Sequence, residues 1–411
     1  MIIALATVAV VICYIDRVNM SVAVIPMAAE FGWDARTQGM VLSSFFFGYM
    51  LTQVAGGWLA DRYGGALVLG VGVVFWSICT IVAPAAANFS LFALIASRVL
   101  MGLGEAVTFP SIYSLFARIV PAGQVSGALA TSTSGIPLGT VVALLLTPLI
   151  IIHLGWEWSF YLYGAMGIVW CLAWKKVVKA ADSIDVNVNE EVGTCGEEPA
   201  QQSVKMSTKA MLSRASVWAI IMATFSNNWT LYVLLAWLPT FVTSGLGVEF
   251  SSVGIFSVAP YIVSFIFLNV AGKLADHCVQ RGIPVRRVRV AMQVVSGLGY
   301  TITLLVVGHA GSAVEAIAII SIGCAFGACS AGGFGANHID IAPRQAGTLL
   351  GIANTFGTLP GIVGVYVSGA ILQATNSWTM VFTTAAVIMV VGTVFYCCLA
   401  SCDELAGSGR A

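Results

Sequence analysis

The sequence predicts an all-α membrane protein of twelve transmembrane helices, arranged as two pseudo-symmetric six-helix bundles. Composition, the number of long apolar runs and an internal repeat together predict it. Of 411 residues, 59% are hydrophobic and only 9% charged, where soluble proteins average about 25% charged. A soluble fold of this composition would expose contiguous apolar surface, so a water-soluble enzyme is excluded, and a disordered chain with it. The 18 basic and 18 acidic residues cancel. That leaves no basic face for a nucleic acid, and the partners expected are a lipid bilayer and a small substrate, with no obligate protein partner.

A bilayer core about 30 Å thick needs about 20 apolar residues per helix. Runs of that kind fall at 2–28, 37–60, 66–86, 91–117, 124–152, 157–176, 214–243, 251–274, 288–308, 313–335, 346–373 and 378–401. The first is no signal peptide: it is too long, lacks a basic start, and carries Asp16 and Arg17 where the apolar region would be. It begins almost at Met1, which leaves open a native tail or transit peptide ahead of it. With the amino terminus inside, all basic residues except Arg36, in the first outer loop, and Arg17 and Arg98, within helices, fall on the inner side. Both termini are therefore expected on the cytoplasmic-equivalent face.

One connection is long. Residues 177–213 are polar and acidic, with Asp182, Asp185, Glu190, Glu191, Glu197 and Glu198, and are expected to be mobile or loosely helical. They divide the chain into an N-terminal six-helix bundle, 1–176, and a C-terminal one, 214–411. The halves repeat: Gly57-Trp58-Leu59-Ala60-Asp61-Arg62 follows the second run, and Gly272-Lys273-Leu274-Ala275-Asp276-His277 the eighth. Pro121, Gly135 and Gly139 match Pro343, Gly357 and Gly361 at nearly the same offset. Duplicated bundles are the architecture of an alternating-access carrier.

Ionisable groups at bilayer depth cost at least about 2.5 to 3.5 kcal/mol on insertion scales, so Asp16, Arg17, Arg98 and Glu105 mark a site or a partnered network. Arg98 and Glu105 are seven apart on one helix and share a face, about 10 Å apart along the axis, too far to bridge. Counted from the outer end, Arg17 lies about 17 Å deep, between Arg98 at about 10 Å and Glu105 at about 21 Å. Two guanidiniums at middle depth point to an anion site, because each offers a planar fork of donors. A carboxylate beside them points to coupling by proton exchange. The alternative is a static network tying the first and fourth helices together. In the second half the polar candidates are Asn227 and Asn228 in the seventh helix and Asn354 in the eleventh; amides there also bond across helices without further role. Pro110, Pro137, Pro148, Pro239, Pro260 and Pro360, with glycines such as Gly102, Gly104 and Gly364, allow kinks and close helix contact.

Metal and enzyme chemistry lack motifs. Most of the ten cysteines sit in apolar runs with no CxxC pair, and the four histidines are scattered, so no metal site is expected. There is no HExxH, GxSxG or GxxxxGK[ST], so the chain is not read as an enzyme. No cofactor is expected beyond a cotransported sodium ion or proton. A receptor that binds without transport is the other class weighed.

Gly57-Trp58-Leu59-Ala60-Asp61-Arg62-Tyr63-Gly64 resembles the inner-loop signature of the major facilitator superfamily, although Gly65-Ala66-Leu67 lacks the usual basic residue that follows. The resemblance implies the major facilitator fold and makes Gly57, Asp61, Arg62, Gly64 and the degenerate Asp276 gate candidates. Within the superfamily, Tyr14-Ile15-Asp16-Arg17-Val18-Asn19-Met20-Ser21 resembles the first helix of the anion:cation symporters, the solute carrier 17-type family. The likeness continues through Ser44-Phe45-Phe46-Phe47-Gly48-Tyr49, Arg98 with Glu105, and Asp340-Ile341-Ala342-Pro343 up to Asn354. It implies substrate contacts at Arg17, Tyr49 and Asn354, coupling at Asp16 and Glu105, and Arg98 organising the network around Glu105. Leu42 and Asn227 stand where vesicular glutamate transporters carry His and Arg. Met20-Ser21-Val22-Ala23-Val24-Ile25-Pro26 and the stretch Asn227-Asn228-Trp229 look closer to the plant and algal phosphate transporters, often plastid proteins. The expectation is a symporter for inorganic phosphate or a similar small anion, driven by sodium or protons, in a plastid or other organellar membrane. An organic-anion symporter for a sugar acid, acidic monosaccharide or dicarboxylate is the alternative.

Overall fold

A computed structural model describes residues 1–120, 125–191, 206–343 and 345–405. Pro121, Glu197, Glu198 and Arg344 lie outside the described residues. Among the described residues all regular structure is helical: α1 (Ile2–Phe31), α2 (Ala35–Tyr63), α3 (Gly65–Phe89), α4 (Leu91–Glu105), α5 (Thr108–Ile119), α6 (Val125–Thr133), α7 (Gly135–Leu154) and α8 (Trp156–Glu191). There follow α9 (Thr208–Leu212), α10 (Ala215–Thr240), α11 (Val253–Gln280), α12 (Val285–Val307), α13 (Ala313–Gly327), α14 (Phe334–Ile341), α15 (Ala346–Thr375) and α16 (Trp378–Leu399). Every apolar run in the sequence has its helix or broken pair of helices. Ten stretches are long and apolar enough to cross a bilayer, and α2, bent by 50°, makes an eleventh. The remaining crossing, α8, is rich in Trp and Tyr, from Trp156 to Trp174, which lowers its mean hydropathy but suits a membrane interface.

The chain chemistry sets the helix ends. α1 stops at Gly32, whose φ of 68° is a left-handed cap that hands its N–H to the Ala28 carbonyl. Asp34, Ser90, Ser312 and Ser377 cap α2, α4, α13 and α16 by accepting a backbone N–H from the first turn. Gly64, φ 87°, both ends α2 and begins α3.

Three crossings expected to be continuous are broken. The fourth divides after Glu105 into α4 and α5, and the fifth at Ser134 into α6 and α7. In each case a proline, Pro110 or Pro137, is the third residue of the later helix and has no N–H with which to carry the ladder through the break. The tenth divides at Gly332–Gly333, between a 3₁₀ turn and α14, and runs on to Ile341 rather than ending near 335. α8 in turn continues to Glu191, into the stretch read as linker.

In the first half α1 packs on α7 and α8, and α3 on α4 and α8; in the second α10 packs on α15 and α16, and α12 on α13 and α16. The halves meet through α2 against α15 and α7 against α11. Twelve crossings put both termini on one face, here the terminal face, opposite the distal face at Asp34. Near the distal face a single apolar core runs through both halves, joining Met27, Val41, Trp156 and Phe160 to Trp237, Phe241 and Phe382. Toward the terminal face the cores are separate. One contains Ala9, Leu69, Ile112 and Phe116 of the first half, another Val217, Ile220, Leu349 and Tyr396 of the second, and a third Ala271, Ala275, Val288 and Met292, also of the second. Across the distal seam, Arg36 Nε donates to the Tyr366 hydroxyl at 2.9 Å and the Ala35 N–H to Gln373 Oε1 at 3.1 Å. The molecule is therefore closed at the distal face and divided at the terminal face.

Candidate functional site

The site forms where α1, α2 and α4 converge. A Cβ at Gly48 would overlap the Val99 carbonyl, and one at Gly102 the Phe45 carbonyl. Only because both positions lack one do α2 and α4 touch backbone to backbone, as small residues permit in membranes. That contact carries Phe45 and Tyr49 to one side of Arg17 and Glu105 to the other.

Arg17 is enclosed by three rings, with its guanidinium carbon 4.6 Å from the Tyr14 ring centre, 4.7 Å from Phe45 and 4.8 Å from Tyr49. Each such contact is worth roughly 0.5 to 2 kcal/mol, more when desolvated. Its Nη2 donates to Glu105 Oε2 at 3.0 Å, with Glu105 fully buried. Cys13 donates its thiol to the same oxygen at 3.1 Å. Arg17 Nε and Glu105 Oε1 have no hydrogen-bond partner. Such a pair is costly to break from one side only, because the remaining charge is stranded in a dry environment.

Arg98, 2% exposed, is 5.6 Å from the Phe45 ring. It makes no hydrogen bond to Glu105 in this arrangement: its Nη1 turns to Met101 Sδ at 2.9 Å, and Arg17 takes the carboxylate. The seven-residue separation leaves Arg98 about two helix turns from Glu105, and its long side chain turns toward the cavity. That cavity, of about 20 Å3, is lined by Arg17, Ser21, Phe45 and Arg98 from the first half and by Leu235 and Ala236 from the second. It has room for about one water molecule. Asp16 lies behind Arg17 on α1, 1% exposed, with neither carboxylate oxygen hydrogen-bonded. Trp76 Nε1 lies toward the Asp16 carboxylate without closing a well-formed hydrogen bond, and Asn19, one turn on, is fully buried and unpartnered.

The second half adds little polarity. Asn228 is committed to its own half, donating to the Gly357 carbonyl at 2.8 Å. Asn227 Oδ1 is buried without a hydrogen-bond partner, and Asn354 is exposed in the terminal third of α15. Tyr232 of the second half meets Phe46 of the first with ring centres 4.6 Å apart and planes tilted by 49°. Sequence reasoning did not single out Cys13, Phe45 or Tyr232; the signal available was position, since Cys13 stands one turn before Arg17 and Phe45 one turn before Tyr49.

The gate candidates lie far from this site, at the terminal face. Asp61, Arg62 and Asp276 are exposed. Arg118 Nη2 donates to the backbone carbonyl of Asp61 at 3.1 Å, and the Arg62 guanidinium rests 5.1 Å from the Trp58 ring. Gly57 faces open space. In the second half Arg289 grips Asp340 through both carboxylate oxygens, at 2.7 and 3.2 Å, and the Gly332 carbonyl at 3.2 Å. Among the described residues no group of His, Cys, Asp and Glu could hold a metal ion.

The sequence matches the model of the Major Facilitator Superfamily over residues 6–365. The chain belongs to that superfamily. It is 39% identical over 94% of its length to a rice (Oryza sativa subsp. japonica) protein named probable anion transporter 4, chloroplastic, and spans 66% of that protein. It is 38% identical over 96% of its length to the ascorbate transporter, chloroplastic, of Arabidopsis thaliana, spanning 73% of it. It is 39% identical over 94% to the sodium-dependent phosphate transport protein 1, chloroplastic, of the same plant, spanning 76%. Among solved structures, a bacterial homolog of the human lysosomal transporter Spinster superposes with a TM-score of 0.78 at 17% identity, covering 96% of this chain and 95% of that one. The chain is thus a multi-pass membrane transporter of that superfamily, not an enzyme, similar over most of its length to proteins named as anion transporters.

Proposed function

We infer that this chain moves inorganic phosphate, or an anion of similar size, by alternating access in symport with sodium ions or protons. The observation that carries the reading is the caged Arg17, beside Arg98, facing a cavity whose second-half wall is Leu235 and Ala236. An anion held by the first half alone needs no second cation, which suits a compact one. On entry from the terminal face the anion takes the Arg17 fork, displaces Glu105, and so ties binding to the fate of that carboxylate. Asp16 and Glu105 serve coupling; Arg17, Arg98, Tyr49, Asn227, Asn228 and Asn354 line the route or the seat. Residues 1–176 and 214–411 rock as units about the seat, with 177–213 as their tether and Gly57, Asp61, Arg62, Gly64 and Asp276 at the terminal gate. The termini face the cytoplasm-equivalent side of a plastid membrane, a location supported by the names of the relatives.

Uptake of labelled phosphate into proteoliposomes under a sodium gradient, a proton gradient or neither tests this. Accumulation under one gradient identifies the ion, and absence of accumulation under both sinks the phosphate reading. The ascorbate-transporting relative at 38% identity favours an organic anion as the second reading. Competition by ascorbate, a sugar acid and glutamate in the same vesicles separates the two.

A further inference from the structure

Cys13 is one turn before Arg17, fully buried, and unused by the function argued above. Its sulfur lies 3.1 Å from Glu105 Oε2, and Arg17 Nη2 reaches that oxygen at 3.0 Å and the sulfur at 3.9 Å. Both donors thus converge on one carboxylate oxygen while Oε1 has none. The other groups around Glu105 are Asp16 on α1 and Arg98 on its own helix. From α2, Tyr49 contributes through its stack on Arg17, and α3 packs Phe75 and Trp76 beside Gly104.

A thiol is a weak donor. While Arg17 holds Glu105, the thiol adds little to it. Once an anion engages the guanidinium, Cys13 is the donor on α1 that stays with the carboxylate. A hydrogen bond to the ionised form favours that form, so the strength of this one contact decides how readily Glu105 then accepts a proton.

We propose that Cys13 is a positioning residue, holding Glu105 by Oε2 and setting the pH at which that carboxylate takes up a proton when an anion draws Arg17 away. The proposal rests on the reading of Arg17 as anion seat and Glu105 as coupling group. It treats Cys13 as more than a small packing residue, and the two roles differ in what they move.

The test is infrared difference titration of the purified protein, with and without inorganic phosphate, following the protonated-carboxyl band that Glu105→Gln removes. Cys13→Ala should raise the midpoint of that band by about one pH unit with phosphate bound, and less without it. Cys13→Ser, which restores a donor, should hold the midpoint at or below that of the unaltered protein. Cys13→Val is larger than cysteine where alanine is smaller, also lacks the donor, and should follow Cys13→Ala, so that a packing defect of either sign is separated from loss of the donor. An unmoved midpoint in Cys13→Ala and Cys13→Val overturns the proposal. So does an equal shift in Cys13→Ser, or the absence of any band belonging to Glu105. None of these readings requires transport, so failure of the vesicle experiment would count against the proposed function while leaving the titration to decide the role of Cys13.

Discussion

Arg17 and Glu105 meet through one nitrogen and one oxygen, 3.0 Å apart, although each side chain could offer the other two. The guanidinium is held chiefly by rings, and the carboxylate chiefly by a pair of donors from α1. An arginine held by its faces has an N–H group left over, and a carboxylate held on one oxygen has the other unpartnered, which is what the proposed anion seat and coupling group require.

Arg17→Lys is therefore expected to weaken phosphate binding by at least about tenfold, since an ammonium neither stacks within three rings nor offers a fork. Arg17→Ala should remove binding altogether and lower thermal stability as well, because it leaves Glu105 charged and stranded. Calorimetric titration with phosphate checks both; normal affinity in the lysine variant would take Arg17 out of the seat.

Glu105→Gln removes the charge paired with Arg17, which under the proposed function competes with substrate. Gradient-driven accumulation should fall about tenfold or more, with exchange of internal for external anion retained. Equal loss of both activities would assign Glu105 to folding rather than to coupling.

Gly102→Ala should destabilise the detergent-solubilised protein by about 1 to 3 kcal/mol, because its Cβ would overlap the Phe45 carbonyl and wedge α2 from α4. Gly57→Ala, whose Cβ would meet open space, is the matched control and should melt within a degree or two of the unaltered protein. A benign Gly102→Ala would mean that the backbone contact is looser than described.

Tyr366→Phe removes the hydroxyl that receives Arg36 across the distal seam. Loss of one hydrogen bond, about 1 kcal/mol, should move the population toward a distal-open form about fivefold. Distances between spin labels at Ala35 and Gln373 would report it, and an unchanged distribution would show that the apolar core alone keeps the seam shut.

Asp34, at the start of α2, accepts the Thr37 N–H at 2.7 Å, and this hydrogen bond holds its carboxyl below the usual carboxylate range. A depressed carboxyl contributes stability that is present above its unfolded value, about 3.9, and is lost as pH falls through the folded value. Asp34→Ala should accordingly cost about 1 kcal/mol near pH 7, with the difference shrinking only once the pH falls below the usual carboxylate range; a difference that stays constant into strong acid would deny the charge any part in the cap.

The crossings were legible because a bilayer demands a run of apolar residues whatever the tertiary contacts. The breaks at Glu105 and Ser134 were less so: Pro110 and Pro137 were noted, but a proline in the first turn of a helix and one inside it look alike in sequence. Depth arithmetic put Arg17 between Arg98 and Glu105, and the structure has Arg17 reaching Glu105. It could not show which way Arg98 would turn, because a long side chain selects its rotamer from neighbours on other helices, here Met101 and Phe45. Asn228 was an even choice between substrate and helix contact for the same reason, and it is bonded to Gly357. The Arg289–Asp340 fork went unseen, since nothing in the spacing of α12 and α14 announces their approach.

The single core near the distal face and the separate cores near the terminal face make the molecule unequal in how it meets a visitor. To open distally it must prise Trp237, Phe241 and Phe382 from Met27 and Val41, whereas the terminal side is already parted. A blocker arriving from the terminal compartment meets the side where the cores are already separate; one arriving from the other compartment depends on an opening of the shared core. Inhibition should then be sided, prompt from one compartment and slow from the other, with the delay measuring how often the distal seam parts.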